Sequence, residues 1–122
     1  VSTAHFADSE LACNHCGALP PQEFQDLLEA FRVQWGRPMK LSSAFRCSAH
    51  NIAVSTTGPN GPHTIGAVDV AIEGPEAYGF VLAAMHFGWT GIGIHQRGSG
   101  RFVHLDMLQD GSHPRPRIWS YA

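Results

Sequence analysis

The chain has 122 residues, of which 43 % are hydrophobic, 10 % aromatic and only 15 % charged; this fits one small domain with a real core and argues against a disordered tail. Eight basic residues against ten acidic ones leave a formal charge of −2, and Lys40 is the one lysine, which argues against a nucleic-acid binder that lives on phosphate contacts. No apolar run approaches the ~18 residues of a membrane-spanning helix, and the start at Val1 without a signal peptide fits a removed leader or a larger parent.

Residues 1–20 read as an irregular arm holding Cys13-Asn14-His15-Cys16-Gly17, with too few apolar groups to dock by burial alone. Phe24, Leu27, Leu28, Phe31 and Trp35 then fall on one helical stripe. Pro20 and Pro21 open this helix, Glu23 and Asp26 suit its positive end, and Gly36 and Pro38 close it, so the pattern predicts a helix over 21–35. Met39 to Phe45 reads as a strand and 47–62 as a long loop, of a length that usually serves function. Ala67 to Ile72 is an apolar strand interrupted by Asp69. A second helix starts at Gly74-Pro75-Glu76, is carried by Tyr78, Val81, Leu82 and Met85, and ends at Gly88. Gly91–His95 and Phe102–Met107 are strands around the turn Arg97-Gly98-Ser99-Gly100, and the tail is polar and proline-rich until Ile118-Trp119. The order α-β-β-α-β-β predicts an α+β fold in a single domain over 1–122, a small antiparallel sheet flanked by two main helices.

The chemistry-bearing residues stand out against this frame. Eight histidines equal all lysines and arginines together. Asp69 sits in an otherwise buried strand, where a carboxylate costs several kcal/mol unless it is paired, hydrogen-bonded or bound to a metal. In Phe102-Val103-His104-Leu105-Asp106 the period of two puts His104 and Asp106 on one face. Taken singly, Asp69 reads as a solvent-facing or salt-bridged acid and His104 as a satisfied core imidazole. With His63, six residues before Asp69 and separated from it by the flexible Gly66, two imidazoles and one carboxylate can converge on one ion. Three such ligands, completed by water, describe a catalytic zinc site.

His63-Thr64-Ile65-Gly66-Ala67-Val68-Asp69 resembles the His-x-x-Gly-x-x-Asp signature of zinc D-alanyl-D-alanine carboxypeptidases and related murein peptidases, which share their fold with lysostaphin-type enzymes and the hedgehog signalling domain. Ser43-Ala44-Phe45-Arg46 resembles their Ser-Gly-Tyr-Arg segment, with His50-Asn51 following. Gly91-Ile92-Gly93-Ile94, Phe102-Val103-His104-Leu105-Asp106 and Arg117-Ile118-Trp119 resemble three later motifs in the right order. The resemblance implies a hedgehog/DD-peptidase fold, zinc held by His63, Asp69 and His104, and Arg46 beside the substrate on a carboxylate or a developing oxyanion. It implies peptidoglycan stem peptides as substrate for a monomer working in the periplasm, in the cell wall or as a phage lysin.

Two departures matter. Gly61-Pro62-His63 lacks the hydroxyl of the family's Ser-x-His, and Arg101 stands where many members carry an acidic general base. Arginine cannot take a proton at neutral pH, so the proton carrier falls to Asp106 or His95. Asp106 also reads as a partner that orients the ligand imidazole. His95 faces the same side as His104 if it pairs with Phe102. The missing acid also admits a second reading, a zinc-containing cell-wall-binding module without catalysis. A third, metal storage, would require several metal equivalents per chain.

Cys13, Cys16 and Cys47 admit two structures. One is a disulfide from Cys47 to Cys13 or Cys16, which implies an oxidising compartment. The other is a second, structural zinc at Cys13, Cys16, Cys47 and His50. The disulfide is the favoured one, because a small secreted domain gains from such a staple. His5, His15, His86 and His113 read as surface or structural residues, Trp35 and Trp89 as core.

Overall fold

A computed structural model describes residues 3–14, 16–46, 66–108 and 113–121. Its five-stranded sheet has the order β1-β2-β4-β3-β5, from β1 (Leu41–Ser43), β2 (Ala67–Ala71), β3 (Gly91–His95), β4 (Phe102–Asp106) and β5 (Arg117–Ser120). Alternation along the strands divides the sheet into two chemically distinct faces. Val68, Val70, Ile92, Val103 and Leu105 point into the core and are all 3 % exposed or less. Asp69, Gly91, Gly93, His95, His104 and Asp106 take the other face.

Helices α2 (Gln22–Trp35) and α3 (Gly74–Phe87) contribute the rest of that core. Phe24, Leu28 and Phe31 of α2 are buried as its stripe predicts, and Gly36 ends the helix in the left-handed conformation. For α3 the expected face is wrong. Its buried residues are Ala77, Phe80 and Ala84, whereas Tyr78, Leu82 and Met85 are 82 %, 53 % and 51 % exposed. The helix is apolar nearly all round, so spacing alone does not choose its inner face. Aromatic packing does: the Phe80 ring meets Phe31 and Trp35 edge-on, with centroids 5.5 and 5.1 Å away.

Two further differences concern the ends. The arm docks by burial: it carries a short helix, α1 (Asp8–Leu11), and Phe6 and Leu11 are 1 % and 0 % exposed in the main core. Two large apolar side chains suffice to dock so short a segment, at ~1.5–3 kcal/mol each. A clasp adds to this, in which the His5 backbone N–H donates to Glu29 Oε1 at 2.8 Å and the His5 ring meets Glu29 Oε2. At the other end, β5 pairs with β3 in parallel, so the sheet is mixed rather than wholly antiparallel. This strand is an edge with Arg117, Ile118 and Ser120 exposed, and it lacks the apolar alternation that betrays a buried strand.

Candidate active site

Asp69 on β2 and His104 on β4 lie directly opposite each other across an antiparallel pair. Their side chains meet, His104 Nδ1 to Asp69 Oδ1, at 2.9 Å. The other ring nitrogen, Nε2, lies 2.7 Å from Asp106 Oδ2 on the same strand face. Asp106 is in turn gripped by Arg115, whose Nε donates to Oδ1 at 2.9 Å and whose Nη2 donates to Oδ2 at 2.8 Å. The Leu108 backbone N–H adds a third donor at 3.3 Å. The result is a continuous polar chain from Arg115 through Asp106 and His104 to Asp69. Its inner members are sealed: the side chains of Asp106, His104 and Arg115 are 0 %, 2 % and 3 % exposed, against 14 % for Asp69.

Electrostatics follow from this geometry. Burial alone would raise the Asp106 carboxyl, but the hydrogen bonds from Arg115 and His104 outweigh it and hold it far below the ordinary carboxylate range. Burial alone would lower His104, but Asp106 and Asp69 outweigh it and raise the imidazole. Because Nε2 faces a permanent carboxylate, it carries a proton, and Nδ1 is the nitrogen turned toward Asp69.

Two glycines of β3 make room for this. Gly91 pairs with Asp106, and a β-carbon there would stand 2.1 Å from Asp106 Oδ1 and 2.5 Å from Arg115 Nε. Gly93 pairs with His104, and a β-carbon there would stand 2.7 Å from Trp119 Nε1. The Trp119 ring is thereby laid against His104 with centroids 5.2 Å apart, and the Arg115 guanidinium lies 5.0 Å from its centre.

The remaining expected residues are placed as follows. His95 pairs with Phe102, so it shares the face of His104; its Nδ1 is buried and without a hydrogen-bond partner among the described residues. Arg46 is half-buried just beyond β1, and burial lowers its pKa while the charges of Asp69, Tyr121 and Cys13 oppose that shift. Arg101 instead lines a groove of about 560 Å³ with Tyr78, Leu82 and Val103, on the helix side of the sheet. His63, Cys47, His50 and His15 lie outside the described residues. Among the described residues no group of three His, Cys, Asp or Glu side chains could hold a metal. Asp69 and His104 nevertheless fit as two members of the expected set: a carboxylate and an imidazole side by side, the imidazole fixed from behind by a buried acid.

Sequence reasoning did not find Arg115 or Tyr121, and left Trp119 without a role. Their signal was slight: arginines and aromatics at alternate positions from 115 to 121, the pattern of one strand face.

A carboxylate–imidazole pair with a buried acid behind the imidazole is a donor set that a metal ion can use. Residues 4–106 match the family peptidase M15, and the chain belongs to this family of zinc-dependent metallopeptidases of the D-Ala-D-Ala carboxypeptidase type. No curated protein and no solved structure gives a significant match. The matched span ends at Asp106, so Arg115, Trp119 and Tyr121 lie beyond it.

Proposed function

We propose that this protein is a zinc-dependent hydrolase of peptidoglycan stem peptides, of the D-alanyl-D-alanine carboxypeptidase or endopeptidase type, acting in the periplasm or cell wall. The observation that supports it most is the Asp69–His104 pair with Asp106 and Arg115 behind it. His63, Asp69 and His104 would hold the zinc, which when bound supplies a Lewis acid for the scissile carbonyl and brings the pKa of a water to about 7.

The chain's own residues do the rest. Asp106 accepts the Nε2 proton of His104 and so presents Nδ1 to the ligand position. Its full burial and two-pronged grip by Arg115 leave it no lone pair facing substrate, which makes it a positioning residue rather than a proton carrier. His95, on the same face and with its buried Nδ1 lacking a hydrogen-bond partner among the described residues, is the better candidate to pass a proton to the leaving amine. Arg46, half-buried just beyond β1 and within electrostatic reach of Asp69, carries a guanidinium fork able to hold a substrate carboxylate.

Purified zinc-loaded protein should release D-alanine or cross-link fragments from murein with one catalytic zinc per chain, and His104→Ala should abolish both. Hydrolysis that survives the loss of His63 and Asp69 would overturn the reading. Arg101, turned to the helix side of the sheet, supports a second one, a zinc-containing module that binds murein without cutting it. Zinc-replete protein that retains cell-wall fragments intact would decide for that alternative.

A further inference from the structure

The wall of the site beyond the family match carries a polar group that the functional reading leaves unused. Tyr121 follows β5, and its backbone N–H donates to Ile94 O at 3.1 Å, tying it to β3. Its ring lies over Gly93, where a β-carbon would stand 2.8 Å from Tyr121 Cε2, and Gly93 is the residue opposite His104. The rings of Phe102 and His95 flank it at 5.1 and 6.2 Å between centroids. The phenol is thus held in a rigid aromatic setting one strand from the His104 imidazole.

Its hydroxyl end is set among charges. The Trp119 ring stands 6.4 Å from the Tyr121 ring between centroids, and the charges of Asp69, Asp106 and Arg46 act on the phenol. A phenol O–H both donates and accepts, so Tyr121 has a proton to give. The charges of Asp69 and Tyr121 act on Arg46 as well, and its Nε is buried without a partner among the described residues. A hydroxyl and a guanidinium, both donors, therefore lie within electrostatic reach of Asp69. Burial pushes the phenol pKa up, with the two carboxylates adding to the shift, so the hydroxyl is protonated at neutral pH.

We propose that Tyr121 donates its O–H to the oxygen that gains negative charge on the scissile carbonyl, acting beside Arg46 as a donor to the transition state. The proposal rests on the peptidase reading above. A donor fixed before the reaction, in a site walled by aromatic rings, costs no reorganisation when charge develops. A tyrosine that only filled the wall would be replaceable by phenylalanine without loss.

The test compares zinc-loaded wild type with Tyr121→Phe, which keeps the ring. The readouts are kcat and KM on a murein peptide, and calorimetric affinity for two ligands, a phosphinate analogue of the tetrahedral state and the product peptide. The expected result is a kcat lower by on the order of 10²-fold with KM little changed. Phosphinate affinity should fall by a similar factor, with product affinity, zinc content and unfolding midpoint as in wild type. Equal activity and equal phosphinate affinity in Tyr121→Phe would overturn the proposal, as would parallel loss of both ligands. Wild-type protein that leaves murein intact would overturn the peptidase reading and this proposal with it, whereas active wild type with an equally active Tyr121→Phe would overturn this proposal alone.

Discussion

Arg115 and Asp106 form a two-pronged ion pair, Nε to Oδ1 at 2.9 Å and Nη2 to Oδ2 at 2.8 Å, with side chains 3 % and 0 % exposed. The pair sits behind the His104 imidazole and fixes which nitrogen that ring offers to the open face. Two charges taken this far from water repay their desolvation only when every lone pair is engaged. Here Leu108 N–H and His104 supply the remaining bonds.

Arg115→Ala should therefore be costly well beyond the loss of one surface charge. It strands a buried carboxylate, and the expected loss of stability is about 3–5 kcal/mol, measured by urea unfolding of the metal-free protein. Asp106→Asn keeps the volume but weakens the acceptor for Nε2–H. It should lower zinc affinity by roughly 10–100-fold with the sheet intact, read by competition with a chelating dye.

The space for this pair comes from the neighbouring strand. A methyl group at Gly91 would overlap Asp106 Oδ1 at 2.1 Å, a distance no side-chain adjustment short of expelling the carboxylate can relieve. Gly91→Ala should cost at least ~3 kcal/mol, the upper range for overpacking, since it also breaks an ion pair. The same substitution at Gly79 is the control. A β-carbon there comes no closer than 4.0 Å to Trp35, and the helix gains propensity, so stability should be unchanged or rise by up to ~1 kcal/mol. Equal effects of the two substitutions in a thermal melt would show that the close approach at Gly91 is not what matters.

Much of this is legible in the sequence. The parity of β4 puts His104 and Asp106 on one face, and the turn at 97–100 sets the His95–Phe102 register, because both depend on local periodicity and turn chemistry. The stripe of α2 is legible because its other face is polar. The inner face of α3 is not, since Tyr78, Leu82 and Met85 compete on equal terms with Ala77, Phe80 and Ala84 until Phe31 and Trp35 are in place. The β5 wall was hidden for a different reason. Arg115, Trp119 and Tyr121 owe their position to a parallel pairing with a strand more than twenty residues earlier, and nothing local in a proline-rich tail encodes that partner.

The N-terminal arm supplies a pH-dependent prediction away from the site. Burial would raise the Glu29 carboxyl, but the side-chain and backbone hydrogen bonds from His5 outweigh it and hold it below its ordinary value. The folded state thus binds this proton less readily than the unfolded one. The clasp contributes fully above the unfolded carboxyl value of about 4.3 and is lost as pH falls through the lower folded value. Protection factors for amide exchange in residues 3–14 should fall on acidification in wild type, and Glu29→Gln should show lower protection at neutral pH with a flatter response to acid. Phe6→Ala should release the arm at every pH, at a cost of about 3–5 kcal/mol.

The division of labour between Asp106 and His95 can be resolved by rescue. Both carry groups able to move a proton, but they differ in engagement: Asp106 is enclosed by Arg115, His104 and Leu108 N–H, whereas His95 is a half-buried residue whose Nδ1, though buried, has no hydrogen-bond partner among the described residues. A proton carrier can be replaced by a diffusible one, while a residue that sets a ligand's orientation cannot. His95→Ala should lower kcat by on the order of 10²–10⁴-fold, keep its zinc, and regain part of its activity when imidazole is added. Asp106→Ala should lose zinc affinity, and neither imidazole nor formate should restore turnover at fixed zinc. Rescue of Asp106→Ala with no response from His95→Ala would reverse the assignment and make the buried carboxylate the acid–base group.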